Sequence, residues 1–487
     1  MERSGRRRSR AVKVTVAVVG FFIFFPLTVF FVGVGPIDIG PASRDLEDAV
    51  TAYRAEGLPW EAKDLRPNPP IADDENAAPL IEKAAPFFDF KSKTWSRDSE
   101  AMGKSADSGD YKALSAELAP YDKALDMGAK AAKMKGVDFH YDWDLGPDLG
   151  LPQFSCLRNL SKGLCYRARI AAAKGDVTGA TRNLELSLKL ADFSGRVPTI
   201  IGVLVEVANQ ANAYQTYTQC AALFKDDPAA LGALRASLEG YHGRADFFLG
   251  LRGEQYMGIA FIRNLDQFGG LAGVLRSSQG TYDPDEAPPP KADPAKLQRT
   301  GLPSGMWARA FLDHHLRYWT KYAETLRVNK DDVDKAAAKI DLATRLNRPR
   351  SLSGLIDEVL LPVFSQAGQS VKRADASRDC TLALIEALQI RASTGKMPTS
   401  IGEIPGTWVD PFGKGPLHLK TDGKSIRIYS LGPSLKDYGG SDQIEGASYE
   451  ESNIAAAYPP LRRRHSHGAT PPPKPPLTRH EPAQPKT

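Results

Sequence analysis

The sequence predicts a mostly α-helical protein with an N-terminal transmembrane helix, an antiparallel helical array, a small α+β C-terminal module with a β-hairpin, and a disordered tail. Three observations predict this class: an uncharged apolar run at residues 14–36, helical apolar spacing across 152–225, and short alternating segments after Gly395. With 487 residues, of which 42% are apolar, the chain is long enough for two or three domains and a substantial core.

The N-terminal end has the pattern of a membrane anchor. Residues 1–13 carry a net charge of +5, and the uncharged segment 14–36 follows directly. At about 1.5 Å per residue, 22 helical residues span roughly 33 Å, which is enough to cross a bilayer. The arginines precede the apolar run and Asp38 follows it, so the positive-inside rule predicts a cytoplasmic 1–13 segment and an extracytoplasmic body.

A cleaved signal peptide is the alternative for the same segment. However, the apolar run exceeds the usual ~7–15 residues of a signal peptide, and no A-x-A-like cleavage motif follows it. The sequence therefore predicts a single-pass protein of the cytoplasmic membrane, held in the lipid bilayer through residues 14–36.

The distribution of charge along the rest of the chain indicates which classes of binding partner are disfavoured. The whole chain has a formal net charge of +5, and residues 461–487 alone carry +5, so the body between the two basic ends carries −5. This mildly acidic body argues against a nucleic-acid-binding surface. Residues 459–487 are basic and rich in proline, which predicts a disordered tail that could touch acidic envelope polymers.

Residues 37–365 are predicted to form an extracytoplasmic helical domain. Apolar residues recur at three- and four-residue intervals, and Gly175-Asp176 and then Gly195 with Pro198 interrupt the runs. The first run places these residues on one face: Leu157, Leu160, Leu164, Ala168 and Ala171.

Two further features belong to this domain. The segment "ARIAAAKGDVTGATRNLELSL" resembles a tetratricopeptide hairpin, but no second copy follows at the period of about 34 residues, so it predicts local helix packing. Helix is predicted throughout 228–268, at about 305–346 and at 351–365, and a long polar loop is predicted at 276–304.

Cysteine usage leaves two alternatives. The four cysteines, Cys156, Cys165, Cys220 and Cys380, show no C-x-x-C or zinc-type spacing. Cys165 and Cys220 lie on neighbouring predicted helices and could form a disulfide in an oxidising compartment. Alternatively, all four are small buried residues on apolar helix faces.

The module at 366–458 begins with a helix and ends in strands and turns. Pro411 and Gly413 predict a turn after Asp410, and Asp422-Gly423 predicts a hairpin between "PLHLK" and "SIRIYSL". This order, with "DPFG" before a hairpin that ends in "IYSLG…D…GG", resembles the C-terminal domain of type II secretion major pseudopilins over about residues 370–442.

That resemblance implies a calcium loop. The family uses an Asp soon after "SLG", and this chain has Ser434 there, which leaves the Leu431 carbonyl, Asp437 and Asp442 as further oxygen donors. The alternative is a closing loop in which Gly439-Gly440 supplies the turn conformations. Two departures from the family are Phe25 in place of the glutamate after its leader, and the more than 300 residues between the apolar segment and this module.

The middle of the chain also resembles a set of uncharacterised bacterial membrane-anchored helical proteins of the planctomycete-like kind. The resemblance rests on "LGLPQFSCLRNLSKGLCYRARIAAAKGDVTGATRNLELSLKLA" and on the "DPFG…IYSLGP" ending. It implies a membrane anchor and a helical body, and it implies no activity.

Three short motifs carry polar groups that could form a site. His140, Asp142 and Asp144 would share one face of a strand and could bind a metal, or they form a plain polar loop. Asp313, His314 and His315 lie on a predicted helix, where adjacent side chains point about 100° apart, which favours an exposed polar face.

The third motif is Glu254 near Arg252, on a mostly apolar helix. It predicts a buried ion pair of structural role, with Arg158 or Arg167 as a possible partner.

The sequence does not identify a reaction. It lacks the nucleophile, zinc-protease and phosphate-loop motifs G-x-S-x-G, H-E-x-x-H and G-x-x-x-x-G-K-[ST]. We therefore predict a scaffold or interaction protein of the cell envelope. The alternatives are an envelope hydrolase with a cleft between array and C-terminal module, and an accessory component of a secretion or pilus-like system.

Overall fold

The computed structural model describes most of the chain between residues 45 and 460. The predicted cytoplasmic segment 1–13, the predicted span 14–36, residues 351–363 of the predicted helix 351–365, and residues 461–487 lie outside the described residues. The described ranges are 45–88, 93–270, 292–329, 364–413, 415–441 and 452–460, with the single positions 335, 336 and 339.

Helices dominate these ranges, and a small antiparallel sheet follows them, which confirms the predicted class at this level. The helices are α1 Asp45–Ala55, α2 Ala78–Ala84, α3 Lys93–Ser108, α4 Tyr111–Leu118, α5 Asp122–Ala131, α6 Gln153–Ala173, α7 Val177–Gly195, α8 Ile200–Leu223, α9 Pro228–Glu239, α10 Phe247–Arg263, α11 Met306–Val328 and α12 Phe364–Thr394. The strands are β1 His418–Thr421, β2 Ile426–Ser430 and β3 Ile454–Tyr458.

The array is built from α6, α7 and α8, which pack on one another. Asp176 is the N-cap of α7, and its carboxylate accepts a hydrogen bond from the Gly179 N–H at 2.8 Å. Thr199 is the N-cap of α8, and its hydroxyl oxygen accepts a hydrogen bond from the Gly202 N–H at 2.8 Å. The connections between these helices are only a few residues long, so neighbouring helices run antiparallel, as the sequence predicts.

One predicted helix is divided in two. Helix was predicted without interruption from 228 to 268, but α9 ends at Glu239 and α10 begins at Phe247. Gly240 and Gly243 lie in the break, and the Asp246 carboxylate accepts hydrogen bonds from the Phe248 and Leu249 N–H groups, both at 3.0 Å. A strong N-cap after two glycines is a reason for the chain to stop and restart the helix.

The C-terminal module is joined to the array by α12. This helix contacts α8 and α9 and also packs against β2 and β3. Its buried Ile385 belongs to the same hydrophobic core as Leu184 of α7 and Ile428 of β2. The array and the small sheet therefore share one core, and α12 lies between them.

The sheet has the order β1-β2-β3, and both pairs are antiparallel. The predicted hairpin is β1 and β2, with Thr421 opposite Ile426. The third strand, β3, was not predicted. Its small residues Ala456 and Ala457 are buried and pack beside α12, where a larger strand residue would find little room.

Two sequence expectations concern membrane crossing and disulfides. Within the described ranges, every helix is too short or too polar to serve as a membrane span. All four cysteines are buried free thiols, so the structure contains no Cys165–Cys220 disulfide. Burial raises the pKa of the Cys156 and Cys220 thiols to about 12, so both are protonated at neutral pH.

Candidate functional site

The turn that precedes the hairpin is tied to its end by Asp410. This carboxylate is 1% exposed. It accepts hydrogen bonds from the Phe412 N–H at 2.9 Å, the Ser430 hydroxyl at 2.7 Å and the Leu431 N–H at 2.8 Å. The aspartate of the "DPFG" motif is therefore fully occupied in holding the turn to the last residues of β2.

The loop after β2 is organised by Asn453, which is 2% exposed. Its amide oxygen accepts hydrogen bonds from the Tyr438 N–H at 2.9 Å and the Gly440 N–H at 3.2 Å. Its amide nitrogen donates to the Leu431 carbonyl at 3.0 Å and the Lys436 carbonyl at 2.9 Å. One asparagine thus satisfies four backbone groups of the loop.

The residues predicted to bind calcium lie in this loop. The Leu431 carbonyl accepts from Asn453, and the Ser434 hydroxyl oxygen accepts a long hydrogen bond of 3.3 Å from the Lys436 N–H. Asp437 accepts from the Tyr429 hydroxyl at 2.9 Å and the Gly439 N–H at 2.7 Å.

These hydrogen bonds bear on the acidity of the loop. The Gly439 N–H lowers the pKa of Asp437, which keeps this carboxylate ionised. Asp442 lies outside the described residues. Among the described residues, no three His, Cys, Asp or Glu side chains are grouped so that they could hold a metal ion. Calcium binding stays a prediction.

The first three residues of the "HYDWD" motif have no regular secondary structure, and its last two begin a 3₁₀ turn, Trp143–Asp148, so the strand geometry considered for it is wrong. Asp142 and Asp144 do converge, but on an arginine: Arg299 donates to Asp142 at 2.6 Å and to Asp144 at 3.0 Å. The Tyr256 hydroxyl also donates to Asp144 at 2.5 Å, while His140 lies beside Asp138 instead. The ion pair with Arg299 lowers the pKa of Asp142.

These hydrogen bonds also fix the position of the C-terminal part of the predicted 276–304 loop. The described part, from residue 292, packs against the body through Arg299 and through the Ala292 N–H, which donates to Asp148 at 2.8 Å. Both aspartates of the motif therefore anchor a distant segment.

His315 lies in the core, so the predicted exposed polar face is wrong for this residue. It is 2% exposed, and its Nε2 lies 3.1 Å from the Gln255 carbonyl oxygen of α10. Gly258 makes room for the ring, since a Cβ at that position would lie 2.5 Å from the His315 Cε1. Asp313 instead pairs with Arg317 at 2.9 Å on the outer side of α11.

Glu254 also differs from its prediction, because its partner is a backbone group. Its carboxylate accepts a hydrogen bond from the Ile200 N–H at 2.9 Å, at the first turn of α8. Burial raises the pKa of Glu254, and the Ile200 N–H opposes that rise. Arg252 and Arg167 bind other groups: Arg252 donates to the Gly57 carbonyl, and Arg167 pairs with aspartates of α5.

A buried polar chain that the sequence did not predict joins α7, α8 and the break before α10. The Gln210 amide donates to Glu206 at 2.9 Å and to the Tyr241 hydroxyl at 2.8 Å. That hydroxyl donates to Asp192 at 2.5 Å. Glu206 is 3% exposed, and its Oε2 occupies the space over Gly195 where a Cβ would stand.

One carboxyl group of this buried polar chain has a strongly raised pKa. Burial, together with the nearby negative charges of Asp192 and Asp246, raises the pKa of Glu206 to about 9. Burial also raises the pKa of Asp192, and the hydrogen bond from Tyr241 opposes that rise. Glu206 is therefore protonated and uncharged at neutral pH.

Two open grooves adjoin each other on the surface near the end of α1. The first, which we call the basic groove, has a volume of about 680 Å³ and is lined by Arg54, Lys63, Arg66, Arg252, Trp60 and Asn68 among others. The second, which we call the apolar groove, has a volume of about 290 Å³; its apolar lining is Leu58, Phe248, Leu249, Leu251 and Ala323, and its polar lining is Glu56, Asp246, Arg252, Gln255 and Arg327. Leu58 and Arg252 line both, so the two grooves are continuous.

In comparisons with known proteins, no family model, no curated protein and no solved structure matches the chain. The carboxylates that the sequence singled out hold loops, turns and helix ends together. The grooves, in contrast, present cationic and apolar side chains to solvent, and this combination is suited to binding.

Proposed function

We propose that this chain is a single-pass membrane protein whose helical body lies outside the cytoplasmic membrane and acts as a scaffold or interaction protein of the cell envelope. The observation that carries the proposal is the uncharged segment 14–36 with a basic flank of net charge +5 on its N-terminal side only. That asymmetry favours retention of the arginines inside and export of the body.

The state of the buried carboxylates supports a binding role over a hydrolytic one. A shifted pKa is typical of catalytic groups but also of structural networks. Here Glu206 is bonded to Gln210, Asp192 to Tyr241, and Glu254 to the start of α8. Each of these three carboxyl groups already has a protein partner that explains its position.

The C-terminal unit favours a second candidate, an accessory component of a secretion or pilus-like system. A long helix, α12, is followed by a three-stranded antiparallel sheet whose loop is held by Asp410 and Asn453. This helix-then-sheet order is compatible with the pseudopilin-like module that the sequence resembles. In this proposal the module is a second contact surface beside the helical array.

Topology is tested with reporter fusions placed after residue 60. We expect an alkaline phosphatase fusion to be active and a green fluorescent protein fusion to be dark, because the body lies outside. A matched variant in which Arg3, Arg6, Arg7, Arg8 and Arg10 are changed to Gln should lose this orientation bias. A fluorescent, phosphatase-negative fusion of the native sequence would contradict the proposed topology.

Partners are tested by crosslinking the full chain in intact membranes, followed by affinity purification and mass spectrometry. The scaffold proposal expects reproducible envelope proteins that are lost when the grooves or the α12 surface are substituted. Enrichment of pilin-type subunits would favour the accessory role. Recovery of cytoplasmic proteins alone would count against both.

A further inference from the structure

We propose that the two adjoining grooves bind one anionic phospholipid, with its phosphate in the basic groove and part of an acyl chain in the apolar groove. The proposal rests on the proposed membrane anchoring for its supply of lipid, whereas the geometry that carries it is independent of topology.

The cationic lining of the basic groove exceeds its acidic lining. Arg54, Lys63, Arg66 and Arg252 face one acidic residue, Asp64. The Asp64 carboxylate is already used, since it accepts hydrogen bonds from the Trp60 and Glu61 N–H groups, both at 2.9 Å. The groove therefore keeps a local positive charge, which attracts an anion.

Two of these arginines have their guanidinium donors available. Arg54 and Arg66 are exposed, and the side chain of neither makes a hydrogen bond or ion pair with any other residue that the structure describes. Lys63 differs, because it pairs with Glu61 at 2.7 Å. A guanidinium presents two parallel N–H groups that match two phosphate oxygens, so this pair is suited to a phosphate.

Arg252 holds the wall of the basic groove in place. Its guanidinium donates to the Gly57 carbonyl at 2.9 Å and to the Asp64 carbonyl at 3.4 Å, and so joins α10 to the turn after α1. Both partners are backbone carbonyls, and Arg252 forms no ion pair with a carboxylate of the residues that the structure describes. Arg252 also lines the apolar groove and therefore marks the boundary between the two surfaces.

The apolar groove provides the second half of the recognition. Leu58, Phe248 and Leu249 are only partly buried there, so apolar surface remains open to solvent. Its volume of about 290 Å³ lies at the small end of ligand sites, which span roughly 300–1,000 Å³, so it suits part of one acyl chain. Glu56 and Arg327 form a pair of 3.5 Å at its rim.

The continuity of the two surfaces favours a phospholipid over a free phosphate. A free phosphate would use the basic groove alone and leave the adjoining apolar surface in water, whereas an amphiphile covers both. The location agrees, because α1 begins at Asp45, only nine residues beyond the predicted span. At about 3.4 Å per residue, that connection spans at most about 30 Å, and α1 adds roughly 14 Å from Asp45 to Arg54, so the grooves can reach the bilayer surface.

The test uses the full chain in a non-ionic detergent and measures binding by native mass spectrometry and by calorimetry. The probe is dioctanoyl phosphatidylglycerol; dioctanoyl phosphatidylcholine has the same chains without net charge, and inorganic phosphate supplies the free anion. We expect saturable binding of phosphatidylglycerol, weaker binding of phosphatidylcholine, and the weakest binding of inorganic phosphate. Added salt should weaken the first of these most.

Substitutions then locate the site. The double variant Arg54→Gln/Arg66→Gln should weaken phosphatidylglycerol binding at least tenfold, because it removes two charge-assisted contacts. Phe248→Ala should weaken binding of the lipid and leave inorganic phosphate binding unchanged. Arg182→Gln, an exposed arginine of α7 outside the grooves, is the matched control and should bind like the native chain.

The side chains of Arg54 and Arg66 have no partner among the described residues, so the double variant should fold and melt like the native protein. The variant Arg54→Lys/Arg66→Lys keeps both positive charges and should recover part of the lipid affinity. The proposal is overturned if binding is not saturable, if the double variant binds like the native chain, or if inorganic phosphate binds as tightly as the lipid. If the chain does not bind lipid but the reporter fusion is extracytoplasmic, the lipid site is wrong and the proposed membrane topology stands. If the chain binds lipid but the reporter fusion is cytoplasmic, the topology is wrong and the lipid site stands.

Discussion

Glu206→Gln is expected to stabilise the protein, and increasingly so as the pH rises. The native carboxyl group is 3% exposed and accepts a hydrogen bond from Gln210, in a place where burial raises its pKa to about 9. Glutamine has the shape of the protonated form. It keeps the oxygen that accepts from Gln210, and it never ionises.

The magnitude follows from linkage between protonation and folding. Glu206 has an ordinary pKa of 4.5 when unfolded and about 9 when folded, so the folded state binds the proton more tightly between these values. Stability is therefore highest below pH 4.5 and falls by about 1.4 kcal/mol per pH unit up to about pH 9. At pH 7 the cost of protonating this group is about 3 kcal/mol, and at pH 5 it is less than about 1 kcal/mol.

The assay is urea unfolding of the full chain in detergent, followed by tryptophan fluorescence at pH 5, 6, 7 and 8. The measured quantity is the difference in unfolding free energy between Glu206→Gln and the native chain, so that other titrating groups cancel. We expect this difference to grow from just under about 1 kcal/mol at pH 5 to about 3 kcal/mol at pH 7. Glu185→Gln, an exposed position on α7, is the matched control and should stay within about 0.5 kcal/mol throughout.

Two results would refute this reasoning. A difference that does not change with pH would show that Glu206 does not take up a proton on folding. A variant that is less stable at pH 7 than the native chain would show that the ionised carboxylate contributes favourably, for example through Arg196. Either outcome would remove the assignment of a neutral carboxyl group to this buried chain.

Two further predictions concern the loop after β2. Asn453→Ala leaves four backbone groups without their partner, so it should lower the free energy of unfolding by about 2–4 kcal/mol and speed hydrogen exchange at the Tyr438 and Gly440 amides. The exposed control Asn68→Ala should change neither quantity. Unchanged exchange in Asn453→Ala would exclude the proposed role of Asn453. If the loop binds calcium, added Ca²⁺ should raise the melting temperature of the native chain, and Asp437→Ala should abolish that rise; a native chain whose melting temperature ignores Ca²⁺ would count against the site.

Local features of the fold could be predicted because they depend on neighbouring residues. The array of α6 to α8 follows from helical apolar spacing, and its breaks follow from Gly175-Asp176 and from Gly195 with Pro198. The hairpin of β1 and β2 follows from Asp422-Gly423 between two alternating segments. In each case the residues that decide the structure lie within a few positions of one another.

The candidate sites could not be predicted in the same way. Asp142 and Asp144 have the spacing of a metal site, yet Arg299, about 155 residues later in the chain, occupies their oxygens. His315 follows two polar residues, Asp313 and His314, in the sequence, yet Gly258 of another helix opens the space that buries it. Spacing along the chain cannot show which distant side chain arrives between two polar groups.

The sequence by itself determined the helical class, the breaks of the array, the hairpin, and the charge pattern that predicts an anchored body. Tertiary structure decided which polar groups meet: the shared core around α12, the buried chain from Glu206 to Asp192, and the junction of a basic and an apolar groove at Arg252. The physical reason is the range of the interactions. Periodicity and capping act over one or two helical turns, whereas burial, ion pairing and groove formation depend on how separate helices pack.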